Sequence, residues 1–387
     1  MDRRGFLLNG LALGCTAAAS PLMAPMAFAS APWDKRLVVL ILRGAMDGLD
    51  VVQPYGDPAY AALRPNLFTG PQIDLDGFYA MHPALSPLLP LWQAGELGFA
   101  HAVSTPYRDK RSHFDGQDLL EAGGASVDDG IDGGWLNRMV ATVPGVRADM
   151  SYAIGRDDLL ILHGDAPVSR WAPETELSIS PQMQRLLQLV HEGDPLFEQA
   201  SADAIQIAQE VALGGDIQMA RGSSSAVRQA QFAAQRLSQE ARIASFSLNG
   251  WDTHSRQDQS LGRALRNLSD VILALKDGLG PVWRDTAVLA VTEFGRTARE
   301  NGLRGTDHGT AGAMVTAGGA LRGGRVLADW PGLGDGDLYD GRDLMPTRDV
   351  RALTGWVMHS LFGIEKTVIE QAIFPGVDLG PDPRFTA

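Results

Sequence analysis

Residues 37–42 read LVVLIL and are followed at residues 43–48 by RGAMDG. A continuous apolar run that is rich in β-branched residues is typical of a strand buried on both faces of a parallel sheet. The glycines on either side of Asp47 predict a sharp turn where this strand ends. The fold is therefore expected to contain a buried central strand that presents an aspartate at its carboxyl end.

Further stretches have the same character and alternate along the chain with helical patterns. The other predicted strands are residues 97–103, 243–248, 286–292 and 313–317. The clearest helix has leucine or isoleucine at intervals of three and four up to Leu279, where Gly280 and Pro281 end it. Strands that alternate with helices predict an α/β fold, an α/β/α sandwich with a mostly parallel central sheet.

The N-terminus carries an export signal. Residues 2–8 read DRRGFLL, which is the twin-arginine pattern, and a small-residue cleavage site follows at residues 27–29. We predict a signal peptide over residues 1–29, a periplasmic or extracellular location, and no membrane span after processing. A membrane anchor is disfavoured because asparagine and proline interrupt the apolar stretch. Lipidation at Cys15 is the alternative.

Composition excludes several classes of function. Cys15 is the only cysteine, so residues 30–387 contain no disulfide, no thiolate metal site and no cysteine nucleophile. The formal net charge of −13 argues against non-specific binding of nucleic acid. We predict one domain over residues 30–387, with a helical insertion at about 181–241, where amphipathic stretches rich in Gln and Ala follow one another without a strand.

Polar residues gather where the predicted strands end. Ligands of open α/β sheets bind beyond the carboxyl ends of the strands, so these residues are expected to lie together. Carboxylates that are brought together repel one another unless a cation compensates, which predicts a divalent metal site. Each residue also has an ordinary structural interpretation, such as a turn aspartate or a loop histidine. The candidate metal ligands are Asp47, Asp252, His254, Glu293, Asp307 and His308.

A second group of candidates follows the predicted strand at residues 97–103. Ser112 stands where a helix is predicted to begin, and backbone N–H groups at such a position stabilise an oxyanion or a phosphate. The alternative is that Ser112 is only the N-cap of that helix. The candidate catalytic residues are Ser112, Arg108, Arg111 and His113.

Six motifs together resemble a known family. They are RGAMDGL at 43–49, SHF at 112–114, GWL at 134–136, WDTH at 251–254, TEFGR at 292–296 and TDHG at 306–309. Their order resembles the exported family called domain of unknown function 1501 over nearly all of the chain after the signal. That family is in turn similar to the alkaline phosphatase and sulfatase superfamily, whose α/β/α sandwich carries one or two divalent metals.

The resemblance implies roles for individual residues. Asp47 would be the first metal ligand and Ser112 the nucleophile, while Asp252 with His254 and the later His308 would complete the site. The superfamily normally has an Asp-His pair where this chain has Glu293 and Phe294. One imidazole is therefore missing from its expected place. Either Asp307 and His308 supply it, or a single metal binds.

The function implied by the resemblance is a metal-dependent hydrolase of phosphate or sulfate esters, on a small molecule or a glycan. The expected cofactor is zinc, manganese or calcium, with about one to two ions per chain. The alternative is a non-catalytic secreted binding or assembly protein that keeps the fold and one structural metal. The family's association with domain of unknown function 1800 implies an exported protein of that family as a partner.

Overall fold

The computed structural model describes residues 33–70, 73–108, 111–172 and 224–386. The predicted signal peptide and residues 181–223 of the predicted insertion lie outside the described residues. The strands are β1 Arg36–Arg43, β2 Val52–Gln53, β3 Ile73–Asp74, β4 Ala80–Met81, β5 Leu97–Ser104, β6 Ser151–Ile154, β7 Ser169–Trp171, β8 Ile243–Asn249, β9 Thr286–Val291, β10 Gly312–Ala317, β11 Val326–Leu327 and β12 Arg348–Asp349. The α-helices are α1 Gly48–Val51, α2 Tyr60–Leu63, α3 Leu89–Gln93, α4 His113–Ala122, α5 Trp135–Ala141, α6 Ser225–Leu237, α7 Gln257–Leu279, α8 Val350–Phe362 and α9 Lys366–Val368.

The main sheet is built around β1. Its strand order is β11-β5-β10-β9-β1-β8-β6-β7, with β12 also paired to β5. β1 pairs in parallel with both β8 and β9, and β6 pairs in parallel with β7 and β8. β10 is antiparallel to its neighbours β5 and β9. The sheet is therefore largely parallel, as the sequence predicts, with one antiparallel strand. β2, β4 and β3 form a separate small antiparallel sheet.

Alternate residues of β1 point to opposite faces of the sheet, as the period of two in a strand requires. Val38, Leu40 and Leu42 belong to the hydrophobic core that contains the apolar faces of α6 and α7. Leu37, Val39 and Ile41 belong to the core on the other face, which contains apolar residues of α4, α5 and α8. Helices therefore cover both faces, and the predicted α/β/α sandwich is confirmed.

The functional loops leave one edge of this sheet. β1, β8 and β9 are parallel and end there, and β10 begins there because it is antiparallel to β9. Close packing of the loops depends on small residues. Gly44 has φ +119°, and a Cβ at this position would lie 2.5 Å from the backbone nitrogen of Asp252. A Cβ at Gly305 would lie 2.3 Å from the carbonyl carbon of His254. The loops that carry the candidate residues are thus in direct backbone contact.

The observed ends of the five predicted strands lie within one residue of the predicted ends. β9 ends at Val291, one residue earlier than expected. α7 ends at Leu279, where Gly280 has the left-handed φ of +51°. Of the predicted insertion, residues 225–237 form α6, whose apolar residues pack against the sheet. Residues 33–387 form one compact unit.

Candidate metal centre

His113 is the first residue of α4, and its ring is oriented by a buried carboxylate. Its Nδ1 lies 2.8 Å from Oε1 of Glu293, which directly follows Thr292 at the end of β9 and is fully buried. An ionised carboxylate only accepts hydrogen bonds, so Nδ1 carries the proton, and in the neutral imidazole Nε2 keeps its lone pair. Nε2 is itself buried and has no hydrogen-bond partner among the described residues. A buried ring nitrogen without a partner calls for a ligand.

The other two histidines of the site are oriented in the same way. Nδ1 of His308 lies 2.7 Å from the carbonyl oxygen of Arg111, which can only accept a hydrogen bond. Nδ1 of His254 lies 3.2 Å from Oδ1 of Asp307. The contact with the carbonyl oxygen fixes the proton of His308 on Nδ1, whereas both ring nitrogens of His254 face a carboxylate oxygen, Nε2 lying 3.0 Å from Oδ1 of Asp252. With the proton on Nδ1, each neutral imidazole presents an unprotonated Nε2, which is the form that binds a metal.

The three Nε2 atoms meet at the carboxylate of Asp252. Nε2 of His254 lies 2.9 Å from Nε2 of His308 and 3.0 Å from Oδ1 of Asp252. Nε2 of His308 lies 3.6 Å from Oδ1 of Asp252, and Nε2 of His113 lies 3.6 Å from Oδ2 of the same residue. The potential ligand atoms of His113, Asp252 and His308 all lie within 4.8 Å of one another.

These separations fit the ligand shell of a small divalent cation. Ligand atoms at about 2.0–2.1 Å from a tetrahedral zinc ion lie about 3.3 Å from one another. Four of the separations, 2.9–3.6 Å, bracket this value, and all the ligand atoms of His113, Asp252 and His308 lie within 4.8 Å of one another. Two imidazole lone pairs at 2.9 Å repel each other unless a proton or a cation lies between them. We call His113, Asp252, His254 and His308 the four-residue cluster.

Asp252 is held as an anion by Arg296. The fully buried Arg296 donates from Nη2 to Oδ1 of Asp252 at 2.7 Å and also to the carbonyl oxygens of Gly44 and Ala45. Partial burial acts to raise the pKa of Asp252, but the hydrogen bond and charge of Arg296 outweigh it and lower that pKa. Arg296 thus ties the Asp252 loop to the end of β1.

The environments of His113 and His308 move their pKa values in opposite directions. The hydrogen bond to Glu293 raises the pKa of His113, although burial opposes this. Burial lowers the pKa of His308, and the nearby cationic Arg296 adds to the effect. Burial would raise the pKa of Glu293, yet its hydrogen bonds, with that from His113 first, hold it below the usual value. Glu293 is accordingly a buried carboxylate that is stabilised by hydrogen bonds from His113, Gln117 and the backbone of Gly44.

Phe294 forms the apolar wall of the cluster. Its ring stacks on His113 with centroids 5.3 Å apart and planes inclined by 20°, and it lies 5.3 Å from the ring of His308. Phe294 also stacks on Tyr107, whose hydroxyl accepts a hydrogen bond from the backbone of Ser112. On the other side, the side chains of Asp252 and His254 are 48% and 44% exposed. The cluster is closed by Phe294 on one side and open to solvent on the other.

The family model described as "Protein of unknown function (DUF1501)" matches residues 100–373, a range that includes the whole four-residue cluster. The chain belongs to the DUF1501 family. No curated protein matches the sequence.

Solved structures that match this chain at low identity include an alkaline phosphatase and a protein of the alkaline phosphatase superfamily. Ps i-CgsB in complex with k-i-k-neocarrahexaose matches with a TM-score of 0.37 and 10% identity over 76% of this chain and 68% of that one. An alkaline phosphatase superfamily protein from Vibrio parahaemolyticus matches with a TM-score of 0.36 and 10% identity over 77% of this chain and 64% of that one. A mutant TAB5 alkaline phosphatase, with Mg bound in its M3 site, matches with a TM-score of 0.36 and 12% identity over 76% of this chain and 95% of that one.

The remaining candidate ligands of this DUF1501 chain lie around the cluster or apart from it. Glu293 contacts Nδ1 of His113, and Asp307 contacts Nδ1 of His254. Both carboxylates therefore orient a histidine of the cluster from the side opposite to its Nε2. Asp47 is fully buried, and both of its oxygens are bound by the guanidinium of Arg64. An arginine therefore already compensates the charge of Asp47.

The candidate catalytic residues are also placed by the structure. Ser112 is the N-cap of α4, and its Oγ accepts a long hydrogen bond of 3.5 Å from the backbone of Asp115. Arg111 pairs with the buried Asp343 at 3.1 Å. Arg108 donates to backbone carbonyl oxygens of its own loop. His113 belongs to the four-residue cluster, with Nε2 3.6 Å from Oδ2 of Asp252.

Several residues of the site could not be found from the sequence. Arg64 and Gln257 form a buried network with Asp47, and Gln257 also accepts hydrogen bonds from Thr253 and Thr306, which lie next to the cluster loops. Arg296, the last residue of the TEFGR motif, binds Asp252. No motif marks a residue whose role is to compensate a distant charge, because such pairs are made by tertiary packing.

Proposed function

We propose that this DUF1501 protein is an exported, metal-dependent hydrolase of phosphate or sulfate esters. One observation carries the proposal: three imidazoles, each with Nδ1 within hydrogen-bond distance of an oxygen, have Nε2 3.0–3.6 Å from a shared carboxylate. Carboxylate–histidine pairs of this kind are typical of functional metal sites. The open side of the cluster, where Asp252 and His254 are half exposed, gives an ester access to it.

The ligand set favours zinc among the candidate ions. Imidazole nitrogen suits zinc and other late transition metals, whereas magnesium and calcium prefer oxygen ligands. His113, Asp252, His254 and His308 would hold one ion. When bound, such an ion supplies Lewis-acid polarisation of the ester oxygen and compensates transition-state charge.

The residues of this chain would then position and attack the ester. Ser112 lies at the N-terminus of α4, directly before the ligand His113, and we assign it as the nucleophile. The Ser112 hydroxyl would lose its proton to solvent as its oxygen bonds to phosphorus or sulfur, and the ester oxygen would leave with the electron pair of the broken bond and take up a proton from solvent. Water would then attack the phosphorus or sulfur, break its bond to Ser112, restore the hydroxyl and release the acid. The free N–H groups of the first turn of α4 are placed to stabilise negative charge on the transferred group.

The test is turnover of 4-nitrophenyl phosphate and 4-nitrophenyl sulfate by zinc-loaded protein. We expect activity that is abolished in Ser112→Ala and in Asp252→Asn, with bound zinc retained in the first variant and reduced in the second. The control is Ser238→Ala, which changes a serine outside the cluster. Turnover that survives Ser112→Ala unchanged would overturn the covalent route, and absence of turnover on both esters would overturn the hydrolase assignment for them.

The alternative is a non-catalytic secreted protein that keeps one structural metal and binds an exported partner of the DUF1800 family. Two observations favour it. The hydroxyl of Ser112 already caps α4, and Arg108 is engaged with its own loop rather than with the cluster. This alternative expects zinc binding and zinc-dependent stability with no turnover in any variant.

Export by the twin-arginine route is part of the proposal. Among the described residues, no helix is long and apolar enough to cross a membrane. Mass spectrometry of the exported protein should find an N-terminus at Ser30. Efficient export after replacement of both Arg3 and Arg4 by Lys would contradict the route, and a lipid on Cys15 would replace it with the lipoprotein alternative.

A further inference from the structure

Arg108 is a half-buried cation without a counterion. Within the part of the chain that the structure describes, it forms no ion pair, and all of its hydrogen bonds are made by Nη1. They go to neutral oxygens: Oγ of Ser104 at 2.9 Å and the carbonyl oxygens of Thr105 and Tyr107 at 2.5 and 2.8 Å. Burial lowers the pKa of Arg108, which reflects the cost of keeping this charge away from water. Its Nε and Nη2 donors remain for another acceptor.

A second arginine lines the same cavity. The cavity has a volume of about 200 Å³ and is bounded at the end of β5 and the start of α8 by Ser104, Thr105, Arg108, Thr347, Arg348 and Asp349. Arg348 pairs through Nη2 with Asp329 at 2.9 Å, while its buried Nε has no hydrogen-bond partner among the described residues. The cavity is large enough for a compact anion, since one water takes up about 30 Å³ of the liquid.

The acidic residue of the cavity is already compensated. The carboxylate of Asp349 accepts hydrogen bonds from Nη2 of Arg351 at 2.7 Å and from the backbone nitrogen of Arg351 at 2.8 Å. Asp349 therefore forms its hydrogen bonds with Arg351, and none with Arg108 is found among the described residues. The charge that remains in the cavity is positive.

We propose that the cavity between Arg108 and Arg348 binds a tetrahedral oxyanion, such as sulfate or phosphate. Guanidinium groups match the oxygens of these anions in geometry as well as in charge, which distinguishes the site from a general positive patch. The site is separate from the four-residue cluster and needs no metal.

The cavity is nevertheless coupled to the cluster through one residue. Oγ1 of Thr105, in the cavity wall, donates a hydrogen bond of 3.0 Å to the backbone oxygen of Glu293, the residue that orients His113. Two kinds of ligand can supply the oxyanion: a free inorganic anion, and a second anionic group on the substrate.

The binding test is calorimetric titration of metal-free protein with sodium sulfate and sodium phosphate at constant ionic strength. We expect saturable binding of one anion per chain that is weakened at least tenfold in Arg108→Gln and Arg348→Gln, because each loses charge-assisted hydrogen bonds. The matched control is Arg284→Gln, whose side chain is 84% exposed and pairs with the neighbouring Asp285. Equal affinity in all variants, or no saturable binding, would overturn the proposal.

Circular dichroism and melting temperature establish that each variant is folded. If Arg108→Gln does not fold, Arg108→Lys keeps the charge and removes the guanidinium geometry, and it should still weaken sulfate binding measurably. Because the protein is metal-free, failure of the hydrolase assignment leaves this measurement unaffected.

The source of the anion is decided by kinetics on zinc-loaded protein. If the site binds a second group of the substrate, Arg348→Gln raises KM for a bis-sulfated or bis-phosphorylated ester and leaves KM for 4-nitrophenyl sulfate unchanged. If the site binds free anion, both KM values are unchanged while inorganic sulfate still raises the melting temperature of the wild type.

Discussion

Replacing Glu293 by Gln tests how the cluster is organised. In the wild type, Oε1 of Glu293 accepts from His113 Nδ1 at 2.8 Å, from the backbone nitrogen of Gly44 at 2.9 Å and from Gln117 at 3.1 Å. An amide oxygen can accept the same three bonds, and the new amide nitrogen would face Oγ1 of Thr292, which lies 2.9 Å from Oε2. The Thr292 hydroxyl can accept that bond while donating to the carbonyl of Leu42 at 2.8 Å. The change therefore preserves shape and hydrogen bonds and removes one charge.

The expected effect is on metal affinity. The carboxylate polarises the imidazole of His113 and makes Nε2 a stronger ligand, and loss of such an outer partner weakens metal binding by about 10–100-fold. This corresponds to about 1.4–2.7 kcal/mol of binding free energy. Because a ligand that binds only the folded state stabilises it, the zinc-dependent rise in melting temperature should shrink accordingly.

The assay is zinc affinity by competition with a chelator, with melting temperatures measured with and without zinc. The matched control is Glu121→Gln, because Glu121 is also a buried glutamate but pairs with Arg43 outside the cluster. We expect the control to change stability without changing zinc affinity. A zinc affinity of Glu293→Gln within twofold of the wild type would refute the role assigned to Glu293.

Three further predictions concern the frame of the site. Arg64→Met should destabilise the fold by about 3–5 kcal/mol, because it leaves the fully buried Asp47 without its partner, and urea unfolding that shows less than about 1 kcal/mol would contradict this. Gly44→Ala should cost about 1–3 kcal/mol and weaken zinc binding, since the new Cβ would lie 2.5 Å from the Asp252 backbone at φ +119°; unchanged stability would contradict it. Burial lowers the pKa of His101 to about 4, below the unfolded value of about 6.5, so the unfolded state takes up the proton first as pH falls. The contribution of His101 to the free energy of unfolding is then fully present above about pH 6.5 and falls by about 3 kcal/mol towards pH 4. Urea unfolding at the two pH values should show this loss in the wild type, and the loss should be smaller by that amount in His101→Gln.

The sequence predicts the sheet well because buried strands have a local signature. Five apolar runs mark β1, β5, β8, β9 and β10, and each is buried along most of its length. The antiparallel direction of β10 has no such signature, because it follows from the path of the long loop between β9 and β10.

The candidate site is predictable in position but less so in roles. Asp252, His254 and His308 lie together at the strand ends, as the sequence predicts, and Asp307 and Glu293 hydrogen-bond to histidines of the cluster. The position of Asp47 after β1 predicts a metal ligand in the same way, yet its charge is compensated by Arg64, which comes from a different part of the chain. A sequence shows which carboxylates reach an edge of the sheet and does not show which arginine meets them.

The central claim is that the four-residue cluster binds one divalent metal ion. Elemental analysis of protein purified after native export tests it most directly, with Asp252→Ala purified in the same way as the comparison. The account predicts about one ion of the zinc class per wild-type chain and a clear loss in Asp252→Ala, because the carboxylate contacts both His254 and His308. Wild-type protein without stoichiometric metal, or Asp252→Ala with the same metal content as the wild type, would contradict it.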